Sequence, residues 1–134
     1  MAVTVVLSAA CGPTGAAPSA SSSAAGAACG PPRLTILEPV PGETVRAPLQ
    51  VRFRVACFRV GPVPGGHLHA WVGPPGAGRR FELTPTEQVG VVEVPDPLLS
   101  GRQTLTFQLA HADHTAVANP QARVVIRDVV FEGP

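Results

Sequence analysis

The chain has 134 residues, among them 16 Pro, 14 Gly and 10 Arg but neither Lys nor Tyr, and its formal net charge is +1. This length accommodates one domain, and a charged fraction of 14% fits neither a charge-driven disordered chain nor a basic nucleic-acid footprint. The lack of Lys removes Schiff-base chemistry and the P-loop phosphate contact, and Pro spread along the chain interrupts helical hydrogen bonding, so a mostly β fold is expected.

Residues 1–11 read as a signal sequence. The apolar run over 3–10 is too short for a bilayer, which takes about twenty apolar residues, and it ends in small residues before Cys11, as secretory signals do. Leu7-Ser8-Ala9-Ala10-Cys11 resembles a bacterial lipobox, in which the Cys is lipidated and begins the mature chain. Ser8 stands where a lipobox usually has a larger aliphatic residue, and no Arg or Lys precedes the apolar run. The plain alternative is an apolar end without function. Residues 12–32 carry no charge and no large apolar side chain, so they cannot bury enough area to offset the entropy of ordering. They read as a flexible Ala/Ser/Gly/Pro linker, reaching roughly 25 Å. Signal and linker together imply an exported, extracytoplasmic protein, held at a membrane by lipid on Cys11.

All Arg and all acidic residues lie between Arg33 and Glu132, which puts the folded domain at 33–134. Residues 33–38 alternate and are rich in β formers, and Pro39 to Gly42 then turn the chain. Leu49, Val51, Phe53, Val55 and Cys57 share one face of a second strand while Gln50, Arg52 and Arg54 share the other. Gly/Pro-rich stretches on either side isolate 67–72 as a third strand. Two shorter strands follow at 79–83 and 88–94, then one through Leu105, Phe107 and Leu109, and a Val/Ile-rich one over 122–131. About seven short strands with regular turn signals predict an immunoglobulin-like antiparallel β-sandwich.

Three Cys remain. With Cys11 lipidated, Cys29 and Cys57 form an even pair in an exported protein, where a disulfide persists. A buried thiol is the competing reading, because Cys57 continues the apolar face of its strand. A reactive or metal-ligating Cys57 is the third.

The four His fall in two stretches, His67 with His69 and His111 with His114. In an immunoglobulin-like sandwich the corresponding loops lie at one end, so the stretches should converge. The i, i+2 spacing puts His67 and His69 on one face of their strand, where two imidazoles can share an ion. His114 is the third candidate ligand, and Asp113 could add a carboxylate. Imidazole and carboxylate donors suit Cu(II) or Zn(II) rather than Cu(I). The competing readings are His that lock a long loop onto the sheet, and a patch that recognises a partner.

Ile36 to Gly42, then Gly66-His67-Leu68-His69, then Leu99-Ser100-Gly101 leading to Ala110-His111-Ala112-Asp113-His114, resemble a family of small exported bacterial immunoglobulin-like domains of unknown function. Gln103 stands where that family usually has another His. A fainter similarity is to periplasmic copper-resistance sandwiches, whose Met-rich segment has no counterpart here. Catalysis is not expected: Ser100 is the only Ser of the domain and the Asp are few, so a Ser-His-Asp arrangement has few ways to form. The leading expectation is a tethered, noncatalytic binding or structural domain that needs no cofactor and meets an envelope protein but no nucleic acid. The alternative is an extracytoplasmic Cu(II)/Zn(II)-binding protein.

Overall fold

The computed structural model describes residues 29–74 and 77–133. The signal reading, Cys11 and most of the linker lie outside the described residues. Strict alternation organises the domain: in β3, Leu49–Ala56, Leu49, Val51, Phe53 and Val55 are buried while the residues between them are exposed. β1, Arg33–Glu38, and β6, Val89–Val94, flank it in a three-stranded sheet of order β1-β3-β6. The second sheet comprises β2, Thr44–Arg46; β4, His67–Val72; β5, Arg79–Leu83; β7, Gly101–Ala110; and β8, Arg123–Glu132. Its order is β2-β8-β7-β4-β5. Phe53 from one sheet and Leu68, Leu105, Phe107 and Phe131 from the other belong to a single buried core. Each such side chain contributes roughly 1.5–3 kcal/mol on burial. The result is an immunoglobulin-like β-sandwich, with β4 and β7 adjacent in one sheet.

Two features depart from the expected pattern. The chain turns after β1 at buried Pro39 and at Gly42, whose φ is +79°, and crosses to the other sheet as β2. β2 runs parallel to β8, pairing Thr44 with Val130 and Arg46 with Glu132, so the described residues form eight strands and the sheets are not wholly antiparallel. Three residues are too short to display an alternation, which is why this strand escapes a periodicity reading.

The second departure concerns Cys57. β3 ends at Ala56, and Cys57 takes a φ of +59° and is only half-buried, so it does not continue the apolar face. The β1–β3 register sets Arg33 opposite Ala56, which brings the segment before β1 alongside the residue after β3. There Cys29 and Cys57 form a disulfide, with Cα atoms 5.3 Å apart.

Candidate metal centre

On β4, Leu68, Ala70 and Val72 face the core, so His67 and His69 project from the opposite face. They are more deeply covered than a half-shielded outer face would leave them, at 7% and 3% exposed. The connection between β7 and β8 supplies the cover. His111 N–H donates to the Thr115 carbonyl at 2.8 Å, and His114 N–H donates to the His111 carbonyl at 2.9 Å. Asp113 Oδ1 accepts from Thr115 N at 3.1 Å and from its hydroxyl at 2.6 Å. These bonds close a tight turn in which His114 adopts a φ of +69°. The His114 ring lies 4.7 Å from that of His67 and 5.9 Å from that of His69, centroid to centroid.

The ring nitrogens converge. His67 Nε2 and His69 Nε2 are 3.0 Å apart. Glu82, on β5, is the cross-strand partner of His69; its carboxylate reaches His114 Nδ1 at 3.3 Å and stands 4.0 Å from His67 Nε2. One donor atom from each of His67, His69, Glu82 and His114 lies within 4.8 Å of the others. With bonds of about 2.0–2.1 Å, two ligands on one ion sit roughly 2.9 Å apart at a right angle, 3.3 Å at a tetrahedral angle and 4.2 Å when opposed. The two Nε2 atoms already have such a spacing, and a separation of 4.8 Å comes to that of opposed ligands with side-chain shifts of several tenths of an ångström, or to a tetrahedral one with about 1.5 Å shared between two side chains.

Electrostatics favour the ligating form of the two buried rings. Burial pushes the pKa of His67 below the ordinary imidazole value against the opposing pull of Glu82, with His114 and Arg80 adding to the lowering. Burial does the same to His69, reinforced by His67 and Arg80. Both imidazoles are therefore neutral near pH 7, the form whose ring nitrogen can offer a lone pair to a cation. Trp71, the only Trp of the chain, meets His69 edge to face at 5.7 Å.

The three His named from the sequence thus come together, but two other residues do not join them. His111 packs against Phe58 with ring centroids 5.6 Å apart. Asp113 is engaged with Thr115, so it shapes the turn, and Glu82 is the carboxylate in the cluster. Sequence reasoning left Glu82 unassigned, although a signal exists. The short Gly/Pro-rich stretch between the two strands is the sequence mark of a hairpin, and with Val72 opposite Arg79, counting three residues along each strand from that pair places Glu82 opposite His69.

Fold and site together define an immunoglobulin-like sandwich with three imidazoles and one carboxylate gathered at one end. No family model matches the chain, and no curated protein does. Among solved structures it is similar to a crystal structure described as an engineered protein, with a TM-score of 0.52 and 22% sequence identity. The likeness covers 78% of this chain but only 21% of the other, and it shows the fold alone.

Proposed function

We propose that this is an extracytoplasmic, noncatalytic protein that binds one divalent copper or zinc ion through His67, His69, His114 and Glu82. The observation that carries this reading is the convergence of the four donors within 4.8 Å, drawn from two strands and a loop far apart in sequence. Imidazole and carboxylate donors suit Cu(II) and Zn(II). Covering His67 and His69 with a structured turn limits the motion that binding must arrest, which favours a preorganised site. Equilibrium dialysis of the full chain should give one tightly held ion per molecule, with binding lost in His67→Ala and His69→Ala. No uptake, or uptake undiminished in those variants, would overturn the reading.

The disulfide between Cys29 and Cys57 supports the extracytoplasmic part, since such bonds persist in oxidising compartments. Within this proposal the chain is tethered through lipid on Cys11 and a linker over 12–32. Metabolic labelling with a fatty acid should mark the wild type and not Cys11→Ser; equal labelling of both would remove the anchor.

A further inference from the structure

A cleft of about 430 Å³ opens beside the cluster, with His67, Glu82 and His114 in its wall. His69 is not part of that wall; it lies toward Trp71. An ion held by the four donors would therefore have protein on its His69 side and the cleft on the other. The remaining lining includes Pro62, Val63, Pro85 and Ala112, with Thr84 and Thr86 as the hydroxyl-bearing members. Among the described residues Glu82 is the only carboxylate in the wall, so a divalent ion with three neutral imidazoles and that carboxylate would retain one positive charge. The volume falls in the range of small-ligand sites, roughly 300–1,000 Å³.

The wall is braced as well as apolar. Gly61 N–H donates to the Gly66 carbonyl at 3.0 Å, Gly65 N–H to Pro62 at 2.8 Å and Gly66 N–H to Arg59 at 2.8 Å. The Gln88 amide ties the same loop to the start of β6, donating to the Phe58 carbonyl at 2.7 Å and accepting from Val60 N–H at 3.2 Å. A loop held at this many points presents a preformed surface to a ligand.

Resting on the metal-binding reading above, we propose that the bound ion keeps one coordination position facing this cleft. That position takes a monoanionic oxygen donor with a small apolar body, of the class of short-chain carboxylates. The anion would neutralise the residual charge while its alkyl part covers Pro62, Val63 and Pro85. Cu(II) accommodates such a fifth ligand beside the four protein donors.

The test uses the full chain loaded with one equivalent of Cu(II), with azide as the probe. Azide should add a ligand-to-copper charge-transfer band, and butyrate should displace it at about 3–10-fold lower concentration than acetate, from the partial burial of two further methylenes in an open cleft. Thr84→Phe, which narrows the cleft from a position that supplies no donor, should retain one copper per chain but bind azide about tenfold more weakly. Stoichiometric copper whose spectrum azide leaves unchanged would overturn this inference and leave the metal reading standing. Equal potency of the two carboxylates, or undiminished azide binding in Thr84→Phe, would likewise overturn it. Failure of copper to bind would overturn both.

Discussion

Two imidazole nitrogens 3.0 Å apart share one proton when both rings are neutral, one donating and the other accepting. Once the donating ring carries its proton on Nδ1 instead, a divalent cation can take the shared proton's place and engage both Nε2 lone pairs, so the arrangement that satisfies the buried rings is also close to the one an ion requires. The same burial makes the metal-free fold sensitive to acid. His67 and His69 have pKa values lowered from 6.5 by burial, so just below pH 6.5 the unfolded chain takes up more protons than the folded one. Stability therefore rises with pH through this window and falls as the pH is lowered. Urea midpoints of the metal-free chain should drop between pH 7 and pH 5, and the drop should be shallower in a His67→Gln, His69→Gln double variant. A midpoint that is flat or rises on acidification would contradict this account of the two rings.

The hairpin of β4 and β5 sets His69 and Glu82 side by side, and the turn over 111–115 brings His114 onto them. Gly66 fixes where β4 begins. A Cβ added there would lie 2.5 Å from the Phe58 ring and would overlap the Ala110 carbonyl. Phe58 also contacts His111, so Gly66 lets the loop before β4 pack directly against the loop that carries His114. Gly66→Ala should cost about 1–3 kcal/mol by overpacking, read as a lower denaturation midpoint, with weaker metal binding alongside; an unchanged midpoint would show that the contact yields freely. Much of this level was legible in the sequence, because a strand with one buried face announces itself by period two, as 49–56 does. The convergence of His67, His69 and His114 followed from the loop geometry of the fold class. Glu82 did not, since alternation gives a strand's faces but not its neighbour, and only the short Gly/Pro-rich link between 67–72 and 79–83 signals that those two strands pair. β2 was silent for want of length, and Cys57 was misplaced because nothing in its own strand marks the left-handed turn that ends it.

At the scale of the whole molecule, the sandwich serves as a rigid frame that presents one end. The disulfide joins the segment before β1 to the end of β3 across 28 residues. A cross-link of that span stabilises by about 2–4 kcal/mol in the chain-entropy account. It fastens the start of the domain beside the loop over 57–66, whose far end is His67, so the candidate centre lies at the end of the sandwich where the preceding chain enters.

The most direct test of the central claim is a Cu(II) titration of the full chain followed by the fluorescence of Trp71, whose ring is 5.7 Å from that of His69. We expect quenching that saturates at one equivalent, that is abolished in His69→Ala, and that needs at least about tenfold more copper in Glu82→Gln, where a charged ligand is lost. Quenching that never saturates, or that is the same in the wild type and both variants, would contradict a metal centre built from these residues.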